Sequence, residues 1–154
     1  MIAISHRGNI DGKNPKLENK PEYILDALNL GYDVEIDIWV INKNWYLGHD
    51  EPTYKIDFYD FVYERRDLWL HCKNIEAFNE LVILSKELDI NWVKFFWHQN
   101  DNYTLTSNGY IWTYPGKQLM ENSISVLPEK NGLVLEDIEH CYGVCSDYIK
   151  KYKK

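Results

Sequence analysis

In the stretch Val34-Glu35-Ile36-Asp37-Ile38-Trp39, Val34, Ile36 and Ile38 alternate with carboxylates at positions 35 and 37. Successive side chains of a β-strand point to opposite faces, so the three apolar residues share one face and Glu35 and Asp37 share the other. Alternation alone fits two placements. On a solvent-facing edge both carboxylates stand in water. In a parallel sheet buried on both faces they point into the interior, where two bare carboxylates repel strongly. A divalent cation resolves that conflict, and hard oxygen ligands suit magnesium, calcium or manganese. The choice between the placements rests on the surrounding sequence.

Runs of the same character flank this strand. Ile2-Ala3-Ile4-Ser5-His6 and Leu68-Trp69-Leu70-His71-Cys72-Lys73 join β-branched or aromatic residues to a polar C-terminal end, and both read as buried strands. Trp92 to Trp97, Tyr110 to Thr113, Ile124 to Leu127 and Gly143 to Asp147 read the same way. Segments of helical period lie between the first strands: Pro21 to Leu30 with Gly31 as a stop, Ile56 to Arg65, and a third from an N-cap at Asn74 to Leu88. Strand, helix, strand alternation predicts a parallel sheet. Beyond Trp92 the helical segments shrink. Gln118 to Asn122 and Leu135 to His140 leave room for a turn or two each, and Tyr103 to Gly109 reads as a loop or hairpin. A complete (β/α)₈ barrel takes about 250 residues, and this chain has 154. The expected fold is therefore α/β, a compressed TIM-like (β/α) barrel with reduced outer helices in its C-terminal half, forming one domain over residues 1–154.

A hydrophobic content of 45% with 12 Tyr and 6 Trp suffices for the core of one domain. The 17 basic and 24 acidic side chains leave a net charge of -7, which repels a polyanion and argues against duplex nucleic acid as a partner. Lys150, Lys151, Lys153 and Lys154 form a basic tail that reads as a solvated terminus. Met1-Ile2-Ala3-Ile4-Ser5-His6 has neither a charged leader nor a signal-peptide core, and no later segment is long and apolar enough to span a membrane. Cys72, Cys141 and Cys145 are odd in number and irregular in spacing. The expectation is a cytoplasmic protein with reduced thiols.

Polar residues gather at strand ends, and parallel barrels build their sites at the C-terminal ends of strands. His6 and Arg7 leave the first strand there. His49 follows the extended run Trp45-Tyr46-Leu47-Gly48, in which Gly48 permits close approach of backbone to a ligand. Phosphodiester hydrolysis needs a base for the attacking oxygen, an acid for the leaving oxygen and positive charge on the phosphoryl oxygens. His6, His49, Arg7 and an ion on Glu35 and Asp37 supply all three. His98, at the end of the Trp92 to Trp97 strand, and Trp112, as an apolar wall for the leaving group, are further pocket candidates. Each also has a plainer reading, His49 as an exposed turn residue and His98 and Trp112 as packing.

Four motifs, His6-Arg7-Gly8, Glu18-Asn19-Lys20, Gly31-Tyr32-Asp33-Val34-Glu35-Ile36-Asp37-Ile38 and Gly48-His49-Asp50, together resemble the glycerophosphodiester phosphodiesterase family in order and approximate spacing. Lys20 stands where that family has Thr. Gly143-Val144-Cys145-Ser146-Asp147-Tyr148 resembles the family's last barrel strand. The strand over 68–73 departs, since the family carries Glu-x-Lys there and this chain has His71-Cys72-Lys73.

The resemblance implies a metal on Glu35 and Asp37, joined by His71, with Arg7 and Lys73 neutralising the phosphate. It implies that His6 and His49 exchange the proton and that Glu18 and Asn19 line the pocket, orienting the metal or the alcohol. The cofactor it implies is a divalent ion, magnesium, calcium or manganese, with zinc admitted if the His71 imidazole is a ligand. The implied partner is a small-molecule or lipid-derived phosphodiester. An alternative function is a non-catalytic phosphate- or phosphodiester-binding module on the same fold, favoured by the replacement at His71 and by the missing helices.

Overall fold

Residues 1–153 are described by the computed structural model, and Lys154, the end of the basic tail, lies outside them. Strand β1 (Ile2–His6) and helix α1 (Pro21–Asn29) fall where the sequence places them, with Gly31 at φ 78° just past the helix end. Strand β2 (Asp33–Ile41) reverses through Asn42 and Lys43, both at positive φ, into β3 (Asn44–Leu47), and β4 (Tyr54–Ile56) follows. After β5 (Leu68–Cys72) comes α2 (Ile75–Glu87), whose first turn is capped by the Asn74 side chain accepting from the Ala77 N–H at 3.2 Å. The remaining elements are β6 (Lys94–Trp97), β7 (Tyr103–Leu105), β8 (Ile111–Thr113), β9 (Ser123–Val126), the single turn α3 (Leu135–Ile138) and β10 (Gly143–Ser146).

These strands form one curled mixed sheet, and the compressed TIM-like (β/α) barrel expected from the alternation is not what the chain adopts. Neighbours β6, β5, β2, β1, β10, β9 and β8 run parallel, but β3 and β4 extend antiparallel from β2, and β7 pairs antiparallel with β8. The cause lies in where residues are spent. Residues 44–56 pair as strands instead of leading into a helix, and the helix expected over 56–65 shrinks to one π-helical turn, Tyr59–Tyr63. The link from β6 to β8 contains a strand, and those after β8 and β9 contain no helix longer than α3. Parallel strands without helices to cover them cannot repeat the (β/α) unit. At the rim of the curl, Ser107 donates its backbone N–H to the Phe95 carbonyl at 2.8 Å and accepts the Phe95 N–H on its hydroxyl at 3.0 Å.

Curling gives the sheet an outer and an inner face. On the outer face Val34, Ile36, Ile38, Leu68 and Leu70 pack with Ile24 and Ala27 of α1 and with Ala77 and Leu81 of α2. On the inner face Ile4, Trp69, Phe96, Trp112, Ile124 and Cys145 form a second core. Strand β2 is therefore buried on both sides. Glu35 and Asp37 are 2% and 0% exposed, which settles the choice that alternation leaves open in favour of the interior. Near the start of β2, Asp33 closes the inner face by accepting from Trp69 Nε1 at 2.8 Å and pairing with Lys94 Nζ at 3.1 Å. Among the described residues no helix is long and apolar enough to cross a membrane.

Candidate functional site

The register of the parallel strands assembles the site. His6 pairs with Glu35 across β1 and β2, and Asp37 pairs with His71 across β2 and β5, so the polar ends of three strands converge. Paired residues point the same way in a sheet. Asp37 Oδ1 lies 3.1 Å from His71 Nδ1 and 3.5 Å from Lys73 Nζ, and Glu35 Oε1 lies 3.6 Å from His71 Nδ1. On its other side Asp37 Oδ2 is 2.8 Å from Arg7 Nε and accepts from Asn19 Nδ2 at 2.8 Å. Asn19 also accepts the Asp37 backbone N–H at 2.9 Å, which fixes this carboxylate in two directions.

Two of these partners sit on unusual backbone. Arg7 and Asn19 take positive φ, 56° and 62°, a region costly for residues other than glycine, and the Asn19 N–H donates to the Arg7 carbonyl at 3.1 Å. The tight loop after β1 thus turns both side chains onto Asp37. Gly48, at φ 149°, has a comparable part in placing His49, because a Cβ there would collide with the Glu51 carbonyl oxygen.

The charges shift one another. Burial alone would raise the Asp37 carboxyl, but the contact with His71 and the charges of Arg7 and Lys73 outweigh it and hold Asp37 well below the usual carboxylate range. Burial likewise opposes a charged His71, yet its contacts with Asp37 and Glu35 prevail and raise its pKa to about 9. His98 moves the other way, to about 4, through burial and repulsion by His71 and Lys73.

Glu35, Asp37 and His71 present ligand atoms within 4.8 Å of one another, all buried. Glu35 Oε2 and His71 Nε2 are enclosed without a hydrogen bond, while Asp37 Oδ1 meets His71 and Lys73. Buried polar atoms without partners are rare, and two carboxylates with an imidazole are a donor set for a divalent ion, so these residues fit the metal that the sequence motifs imply.

His6 stands beside this group. Its Nδ1 is 2.6 Å from Asp147 Oδ1, and its Nε2 faces Glu35 Oε2 at 3.9 Å. Asp147 is braced in turn: Asn9 Nδ2 donates to its carboxylate at 2.8 Å, and its backbone N–H donates to Glu129 at 3.0 Å. Burial would raise the Asp147 carboxyl, but the His6 bond lowers it below its ordinary value.

A cleft of about 450 Å³ opens over these groups and brings His6, Arg7, Glu35, His49, His71, Lys73, His98 and Trp112 to one surface. His49 is half-exposed there, with Nδ1 2.6 Å from the exposed Asp50. His98 stacks on Tyr114 with ring centroids 3.7 Å apart. Trp112 is 3% exposed and packs on Phe96, so little of it is open to the cleft it lines. Glu18 sits apart. It accepts from Arg7 and Asn9 and faces an adjoining depression instead of the main cleft.

Arg7 and Lys73, expected on phosphate, both lie against Asp37 while lining the cleft. Sequence reasoning missed Asp147 and Asn9 as partners. For Asp147 a signal existed, a carboxylate at the C-terminal end of a buried strand, the same signal that picked out His6. Asn9 carried none. No protein family, curated protein or solved structure matches this chain, and the resemblance to glycerophosphodiester phosphodiesterases rests on the sequence motifs alone.

Proposed function

We propose that the protein is a metal-dependent phosphodiesterase acting on a small or lipid-derived phosphodiester. The observation that carries this reading is the His6 dyad. A hydrogen on Nδ1 shared with Asp147 leaves Nε2 free and directed at Glu35, over the unpartnered carboxylate and imidazole atoms. A histidine held in one tautomer by a buried carboxylate, facing a reactive centre, is the arrangement of a general base.

Glu35, Asp37 and His71 would hold a divalent ion, which when bound supplies charge to a phosphoryl oxygen. The imidazole widens the acceptable ions from magnesium, calcium and manganese toward zinc. Arg7 and Lys73 bind and orient the phosphate. His6 Nε2 takes the proton from the attacking hydroxyl, and His49, loosely held and half-exposed, delivers one to the leaving alcohol. Asn19 keeps Asp37 in place, and Trp112 with Val126 and Leu127 excludes water from one wall of the cleft. Three buried free cysteines support an intracellular, cytoplasmic setting.

A non-catalytic phosphate-binding module is the second reading, and one observation favours it. Asp37 already meets Arg7, Lys73 and His71, so its charge is answered without an ion. The test is hydrolysis of bis(4-nitrophenyl) phosphate by chelator-stripped protein before and after manganese is restored. Recovery of nitrophenol release on adding the ion is the expected result. Persistent inactivity of folded, phosphate-binding protein selects the module.

A further inference from the structure

The inner cations of the cleft are paired, and the outer ones are not. Arg7 and Lys73 lie 2.8 and 3.5 Å from Asp37. Lys13 and Lys130 line the same cleft with exposed side chains, and among the described residues neither forms an ion pair, in a chain with 24 acidic residues. The acids that share the cleft are committed elsewhere, Glu35 toward His71 and Asp147 to His6 and Asn9.

Both lysines rise from fixed backbone around the Asp147 segment. The Gly12 N–H donates to the Asp147 carbonyl at 2.8 Å, and the Asn14 N–H donates to Asn9 Oδ1 at 3.0 Å, which pins the chain on either side of Lys13. Glu129, next to Lys130, accepts the Asp147 N–H at 3.0 Å and the Ser146 hydroxyl at 2.8 Å. Before it, Leu127 takes a left-handed conformation, φ 47° and ψ 52°, that is costly for a leucine and that this bracing maintains. Two exposed lysines thus line the cleft from fixed backbone without an ion-pair partner among the described residues. Such an arrangement attracts an anion from solution and raises its local concentration.

We infer that the leaving alcohol of the substrate carries a second anionic group, a phosphate monoester, which Lys13 and Lys130 receive while Arg7 and Lys73 hold the scissile phosphodiester. The inference rests on the phosphate reading of the inner site. It separates this protein's substrates from phosphodiesters of neutral or cationic alcohols, which leave both lysines unanswered.

The test compares, by calorimetry on the full chain, propyl phosphate with linear alkane α,ω-bisphosphates of three to six carbons. The best bisphosphate is expected to bind about tenfold more tightly than propyl phosphate, the gain of two exposed ion pairs. The double variant Lys13→Gln, Lys130→Gln is expected to lose that gain while keeping its affinity for propyl phosphate. Equal affinity for the two probes, or a gain that persists in the double variant, overturns the inference and leaves the inner phosphate site standing. Failure of both probes to bind overturns the phosphate reading itself. Binding to phosphatidylglycerol vesicles that falls in the double variant, without any gain for the soluble bisphosphate, assigns the lysines to a lipid surface and also overturns the inference.

Discussion

Phosphodiester hydrolysis is expected to fall about a thousandfold in kcat/KM on His6→Ala, the usual scale for removing a positioned base. Asp147→Asn is expected to cost about a hundredfold, mainly in kcat, because His6 keeps its place but loses the partner that holds the hydrogen on Nδ1. The pH dependence of kcat should change in that variant, which a merely structural role for Asp147 would not produce. His49→Ala separates the two histidines. As the acid, His49 should matter much more for an alkyl leaving alcohol than for 4-nitrophenolate, which departs without a proton. His6→Ala should be equally damaging for both. An Asp147→Asn variant with wild-type kcat and pH profile removes the dyad from the mechanism.

The second large effect is on stability. Asp37 is fully buried and meets Arg7, His71, Lys73 and Asn19. Asp37→Ala leaves these cations enclosed without their anion, and breaking a buried pair in this way costs roughly 3–5 kcal/mol. Urea unfolding of chelator-treated protein measures it, and a loss below about 1 kcal/mol would mean that the cations relax into water. The pH dependence has a definite sign. Because the Asp37 carboxyl is held below its ordinary value of 3.8, its contribution is present above about pH 4 and is lost as pH falls through the depressed value. His71 acts in the opposite direction. Its pKa is raised from 6.5 to about 9, so its contribution is complete below 6.5 and disappears as pH rises through about 9. In the Asp37→Ala variant both limbs should flatten.

Much of the site was legible because its chemistry sits at strand ends. The strands carrying His6, Glu35, Asp37 and His71 were readable from apolar runs ending in polar residues, and their in-register pairing does the rest. The His6–Asp147 bond was not readable, since 141 positions separate the partners and no local pattern links them. Nor was the pairing of Arg7 and Lys73 with Asp37, which depends on a positive-φ turn after β1 and on the register of β5.

The scaffold was misjudged for a related reason. Trp45-Tyr46-Leu47 reads as extended, but only the turn at Asn42 and Lys43 makes it an antiparallel neighbour of β2. Phe58, Phe61 and Val62 have helical spacing and are indeed buried, yet they anchor a single turn against the sheet. Periodicity reported burial correctly at these positions and element type incorrectly.

Anomalous scattering from crystals grown with manganese tests the proposed metal centre most directly. One strong peak is expected within bonding distance of Glu35, Asp37 and His71. No peak there at millimolar manganese, with His71 still packed against Asp37, would contradict it.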